Sequence, residues 1–169
     1  MIYRIWIGLF LTTLSCNSTQ KVSGAENDLW TFISTNELKQ NELMPKEYLA
    51  LELNKALLED KLNQSKTPQI TLPTLDQSFI TVRLEDSGTM SPVLAAKFPN
   101  IKSLKGEQVD NSITKVRIDK NAKGFFAMIV AEGQTYFINP SEKGSSVYII
   151  YDKQNAVKGG NPFVDKLIK

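Results

Sequence analysis

LPTLDQSFITVRLEDSGTMSPVLAAKFPNIKSLKGEQVDNSITKVRIDKNAKGFFAMIVAEGQTY, residues Leu72–Tyr136, decides the fold. Near its start Leu75-Asp76-Gln77-Ser78 is a turn signal, because the Asp76 carboxylate can accept from its own local backbone. FITVRLED then alternates, with Ile80, Val82 and Leu84 on one side and Phe79, Thr81 and Arg83 on the other, the pattern of a strand with one buried face. Ser91-Pro92 reads as an N-cap followed by proline at the first helical position, and VLAAKF gives one or two turns stopped before Pro99, with Leu94, Ala95 and Phe98 expected on its inner face. IKSL is a short strand expected to end at Gly106. SITKVRID breaks strict alternation between Ile113 and Val116, which puts the start of the next strand near Lys115. GFFAMIVA is nearly all apolar and is expected to be the most buried strand. Glu132-Gly133 closes a tight turn onto TYFIN, so 124–139 is the best hairpin in the chain.

Outward from this stretch the same logic continues. LWTFI (29–33) is a strand rich in aromatic and β-branched residues. Leu49, Leu51 and Leu53 fall on one face of another strand, and Asn54 caps a short helix, KALLEDKLNQ, which packs Leu57, Leu58 and Leu62 toward the sheet. PQITL precedes the organising stretch and SVYIIYD follows it. The last residues, 153–169, form a tail, with a weak helix possible at VDKLI. Strands joined by connections too short for crossover helices predict a mainly β (α+β) domain: an antiparallel sheet or open barrel-like roll with two short helices. The expected organisation is 1–15 as a lipoprotein-type signal peptide, 16–28 as a flexible tether, 29–152 as the folded domain and 153–169 as the tail.

The 169 residues are 41% hydrophobic and 22% charged, enough for one domain with a real core. The net charge of +2 comes from 20 basic and 18 acidic residues without a dense basic run, which argues against nucleic acid as a partner. There is no histidine, which removes Ser-His, Cys-His and His-metal chemistry together. Cys16 is the single cysteine, so neither an intrachain disulfide nor a cysteine-rich zinc site can form.

Cys16 has a more specific reading. Arg4 and the amino terminus precede an apolar run, Ile5–Leu14, too short for the roughly 20 residues of a comfortable bilayer span. The small Ser15 before Cys16 gives the segment the look of a bacterial lipoprotein signal, although Thr13 stands where leucine is preferred. Cys16 is then the lipidated first residue of the mature chain, anchored stably because each buried CH₂ contributes about 0.8 kcal/mol. NSTQKVSGAEND (17–28) is small, polar and aperiodic, as expected of a tether.

Other candidates carry little chemistry. Ser112-Ile113-Thr114-Lys115 has the S-x-x-K spacing of penicillin-binding enzymes, faintly echoed by Lys158-Gly159-Gly160, but it lies at the start of a strand and no S-D-N element accompanies it. Glu85 and Asp86 are adjacent on a strand and point to opposite faces, so they cannot flank one glycosidic bond. Asp60, Asp76, Asp110 and Asp119 lack the spacing of a calcium loop. Arg83 and Arg117, the only arginines beyond the signal segment, suit a buried ion pair or a partner's carboxylate. Phe125, Phe126, Tyr136, Phe137, Tyr148 and Tyr151 read as core and cross-strand pairs, with a peptide groove as the functional alternative.

A family resemblance adds to this. Leu29-Trp30, Pro45 and Tyr48, Leu72-Pro73 with Asp76 and Ser78-Phe79, and Glu85-Asp86-Ser87 with Met90 and Pro92 run in order toward Leu94-Ala95-Ala96-Lys97-Phe98-Pro99-Asn100-Ile101-Lys102 and Gly106. Val116-Arg117-Ile118-Asp119, Gly124-Phe125, Ala127-Met128-Ile129, Tyr136 and Pro140 follow. Over 29 to about 151 the chain resembles the N-terminal, propeptide-like domain that precedes the catalytic domain of secreted reprolysin-like zinc metallopeptidases of Bacteroidetes-type bacteria. The H-E-x-x-H helix of those proteases has no counterpart here, and no cysteine after Cys16 could cap a zinc ion in a partner. Taken with the signal segment and the missing zinc helix, the resemblance implies a non-catalytic exported lipoprotein of the cell envelope, without cofactor or metal, that touches the membrane through its lipid and binds or modulates another protein such as a protease. The alternatives are a truncated relic of a metallopeptidase precursor and a small-ligand or peptide-binding envelope protein.

Overall fold

The computed structural model describes residues 27–38 and 44–157. The signal segment, Cys16, nearly all of the tether, Lys158-Gly159-Gly160 and VDKLI lie outside them. Among the described residues nine strands form one antiparallel sheet: β1 (Trp30–Ile33), β2 (Leu49–Leu53), β3 (Gln69–Pro73), β4 (Phe79–Asp86), β5 (Lys102–Gln108), β6 (Lys115–Asn121), β7 (Gly124–Ala131), β8 (Gln134–Pro140) and β9 (Val147–Asp152). Their order is β1-β2-β9-β8-β7-β6-β5-β4-β3, so β3 to β9 form an uninterrupted meander and β1 and β2 extend it beyond β9. The sheet curls into a nearly closed barrel. Its two edges, β1 and β3, meet where the Trp30 indole N–H donates to the Thr71 carbonyl at 2.8 Å. The rings of Phe32 and Phe79 stack a tilted contact onto the same seam, 5.6 Å apart.

The alternation seen in the sequence fills the barrel. Leu51, Leu53, Ile70, Leu72, Val82 and Leu84 point inward from β2, β3 and β4, and all are buried. Trp30, Phe125 and Tyr148 meet at one end of this core, with Trp30 edge-on to Tyr148 at 5.5 Å. The Tyr148 hydroxyl accepts from the Phe125 backbone N–H at 3.2 Å, which satisfies a polar atom that would otherwise be orphaned. Helix α1 (Lys55–Asn63) closes that end of the barrel with Leu58 and Leu62. Asn54 caps it as expected, its side-chain oxygen accepting from Leu57 N–H. Lys55 donates to the Gly144 carbonyl at 2.6 Å, Lys102 to Asn63 at 2.6 Å, and Lys120 pairs with Glu59, fastening the helix to the rim.

A second cluster lies outside the barrel, where Phe137, Ile149 and Tyr151 are covered by Met44, with Leu38, Tyr48, Met128 and Ala156 packed around them. This cover corrects one expectation. β7 is buried on one face only, whereas β8 and β9 are buried on both, because Leu38, Met44, Tyr48 and the Lys153–Asn155 turn with Ala156 lie against their outer face. Past Asp152 the chain makes a short 3-10 turn, Lys153–Asn155, and packs Ala156 against this cluster. At the other boundary the Asn27 side chain accepts from Leu29 N–H at 2.8 Å, tying the start of the described chain to β1.

Two further expectations change. β5 does not end at Gly106 but runs through it to Gln108. Helix α2 (Pro92–Lys97) forms with Ser91 as its cap, yet none of its residues is buried: Leu94 and Phe98 are 48% and 44% exposed instead of facing inward. The helix sits on the β4–β5 connection beyond the end of the sheet.

The tight turns follow their sequences. Glu132 and Gly133 both adopt positive φ (50° and 79°), the requirement of a two-residue turn matched to strand twist. In the β3–β4 turn Asp76 accepts from the hydroxyls of Thr74 and Ser78 and from Ser78 N–H. The Thr74 hydroxyl, then that of Ser78, holds the Asp76 carboxyl below its usual value. A depressed carboxylate contributes stability that is present above the unfolded value, about 3.9, and lost as pH falls through the folded one. The stability gap between the native chain and Asp76→Asn, measured by urea unfolding, is expected to be open at pH 7 and to shrink below about pH 4.

Candidate functional site

The barrel interior is occupied by side chains, so the surfaces able to bind are outside. One lies along β4, β5 and β6, an open trough of about 430 Å³ lined by Arg83, Glu85, Lys105, Glu107 and Lys115 together with Thr67, Leu84, Gly106 and Val116. Alternation sends Arg83 and Glu85 outward from β4 while Val82 and Leu84 fill the core. Register then sets charge opposite charge. Arg83 lies across from Glu107 and Glu107 across from Lys115; Glu85 lies across from Lys105 and Lys105 across from Arg117.

Within these two rows the acids are already claimed. Lys115 binds Glu107 at 2.8 Å, and Lys105 binds Glu85 at 3.3 Å. The Lys115 hydrogen bond and its charge hold the Glu107 carboxyl below its usual value, with Arg83 adding attraction from further away. These pairs are solvent-exposed and contribute little to stability. Their consequence is for the arginines: Arg83 and Arg117 are exposed and form no ion pair among the described residues. The buried arginine ion pair allowed by the sequence is thus not formed, because both positions fall on the solvent side of the alternation. A guanidinium presents a rigid fork of donors suited to carboxylate.

The shape of the trough depends on Gly106, where β5 bends close against β4. A Cβ at that position would lie 2.2 Å from the Arg83 carbonyl oxygen and 2.8 Å from the Leu84 side chain. Glycine inside a strand marks such a close backbone approach, which the sequence offered only as a strand end.

The remaining candidates are dispersed. Ser112 is in the exposed β5–β6 turn and Lys115 is tied to Glu107, so the S-x-x-K spacing brings no nucleophile and base together. Asp86 accepts from Gly88 N–H while Glu85 faces Lys105. Asp60, Asp76, Asp110 and Asp119 do not converge, and no group of three or more acids, cysteines or histidines among the described residues is placed to hold a metal ion. Phe125 and Tyr148 belong to the inner core and Phe137 and Tyr151 to the outer cluster, whose rings are 5.8 Å apart. A shallower hollow of about 240 Å³ lies beside that cluster; Asn139 donates there to the Tyr151 hydroxyl, and its own amide oxygen has no hydrogen-bond partner among the described residues. No helix among the described residues is long and apolar enough to cross a membrane. No known protein family, curated protein or solved structure matches the chain.

Proposed function

We propose that this chain is a non-catalytic lipoprotein of the bacterial cell envelope, anchored through Cys16, that binds another envelope protein with the outer face of β4–β6. The resemblance to metallopeptidase propeptides makes a protease the natural partner. The observation that carries the reading is the pair Arg83 and Arg117, two exposed guanidinium groups that form no ion pair among the described residues, while the acids of their two cross-strand rows, Glu107 and Glu85, are held by Lys115 and Lys105. They stand two strands and two residues apart, roughly 10–12 Å at ordinary strand spacings. An extended segment with carboxylates three or four residues apart spans that distance, at about 3.3 Å per residue. The filled interior supports contact by the outer surface over capture of a small molecule inside the barrel.

The test is capture from detergent-solubilised envelopes by the native chain, by Arg83→Glu/Arg117→Glu, and by Cys16→Ser. Both arginines are exposed, so the charge reversal is expected to leave folding within about 0.5 kcal/mol of native. Reversing the charges is expected to weaken a specific partner's retention at least about tenfold, since truncating a desolvated charge pair costs 2–5 kcal/mol. Cys16→Ser is expected to bind as well after solubilisation but to be lost from intact membranes. Equal retention by the charge-reversed chain would remove this face from the reading.

A further inference from the structure

The barrel has two unlike ends. The β4–β5 connection bearing α2, the helix α1 and the β6–β7 and β8–β9 turns share one end, as the Lys102–Asn63, Lys120–Glu59 and Lys55–Gly144 contacts show. The described chain starts at this end too, because Trp30 pairs with Leu53 at the base of α1. Here Val93, Leu94, Phe98 and Ile101 project into solvent at 79%, 48%, 44% and 43% exposure. Leu94 and Phe98 lie one turn apart, so they share a face. The same end carries Lys55, Lys61, Lys66, Lys97, Lys123 and Lys143, against Asp28, Asp60, Asp86 and Glu142. The described loops and strand ends at the opposite end carry Glu47, Asp76, Asp110, Glu132 and Asp152, against Lys46 and Lys153. Exposed apolar side chains with Lys97 beside Phe98, on an end richer in lysines than in acids, fit one surface in particular: the headgroup region of an anionic bilayer, which takes apolar groups into its acyl boundary and attracts basic residues beside them.

We infer that α2 is a second membrane contact, which seats the barrel with its basic end on an anionic lipid surface. Chain length agrees. Ten residues lie between Cys16 and Asn27, and the eleven steps from one to the other span at most about 40 Å. Because the tether joins the barrel at this end, a lipid at Cys16 can reach the bilayer with this end seated on it. The apolar residues enter the boundary, Lys97 moves to the phosphates, and the β4–β6 face stands upright and accessible. The orientation rests on the Cys16 reading; the lipid affinity of α2 does not.

The experiment is flotation of the full-length protein, purified from bacterial envelopes, with phosphatidylglycerol or phosphatidylcholine vesicles, together with amide exchange over residues 90–101. Native protein, Cys16→Ser and Leu94→Asp/Phe98→Asp are compared. Exchange over 90–101 is expected to slow at least about tenfold on phosphatidylglycerol, less on phosphatidylcholine and in high salt, and not at all in the aspartate variant. Protection in the native protein and in Cys16→Ser alike, with equal flotation, supports the α2 contact and removes the lipid anchor. Flotation of the native protein without protection of 90–101 keeps the anchor and overturns the inference. Absence of flotation from phosphatidylglycerol overturns both. Protection by a co-purified protein in the absence of vesicles makes α2 a protein contact and also overturns the inference.

Discussion

Trp30→Ala is expected to lower the unfolding free energy by about 4 kcal/mol, the largest loss we expect from a single truncation. Trp30 is 1% exposed and packs against Phe125 and Tyr148, so removing its ring leaves a cavity bounded by rings that cannot readily collapse into it. Its second role is particular to this barrel. β1 and β3 are the sheet edges, and the indole N–H on the Thr71 carbonyl joins them where no strand ladder does. Trp30→Phe keeps most of the apolar volume and loses the bridge, so about 2 kcal/mol is expected, from mild underpacking and one hydrogen bond. Against the roughly 5–15 kcal/mol of a typical domain, the alanine variant should unfold at clearly lower urea with an unchanged slope. Amide exchange in β3 should quicken in both variants, because the seam opens in each. Equal stability of the alanine and phenylalanine variants would show that the ring's volume does not matter at the seam.

Gly106→Ala is expected to cost about 3 kcal/mol, at the upper end of overpacking effects. The added Cβ would meet the Arg83 carbonyl oxygen at 2.2 Å, and backbone cannot swing aside as a side-chain terminus can. β4 must move away, disturbing both the ladder and the placement of Arg83. A second substitution separates the two obstacles. If Leu84 were the main one, Leu84→Ala would rescue Gly106→Ala; since the carbonyl is nearer, the double variant is expected to be less stable than either single one. Urea unfolding of the four chains measures this directly.

The sequence revealed most where one rule acted alone. Alternation in FITVRLED put Val82 and Leu84 inside, Asn54 and Ser91 capped the two helices, and Glu132-Gly133 turned the β7–β8 hairpin. It misled where the outcome depended on what lies opposite. An apolar stripe on VLAAKF is the same whether a core or a membrane faces it, so Leu94 and Phe98 read as core and stand exposed. GFFAMIVA is more apolar than β8, yet the packing of Leu38, Met44 and Tyr48 on Phe137, Ile149 and Tyr151 decides which outer face is covered. Gly106 reads as a stop because glycine disfavours strands, and only the pairing of β4 with β5 shows it as a point of close approach. The arginines were visible as residues of interest, but their lack of partners depends on register, which sets Lys105 and Lys115 against the acids first.

The proposed contact of this filled barrel with a partner runs through the outer face of β4–β6. In-cell photo-crosslinking tests it most directly, with a photoreactive residue replacing the exposed Lys105, which lies between Glu85 and Arg117 on that face. The account predicts a discrete adduct with one envelope protein that disappears when Arg83→Glu and Arg117→Glu are added. An adduct that survives both changes, or none from this position while a probe at Glu132 on the acidic end gives one, would contradict it.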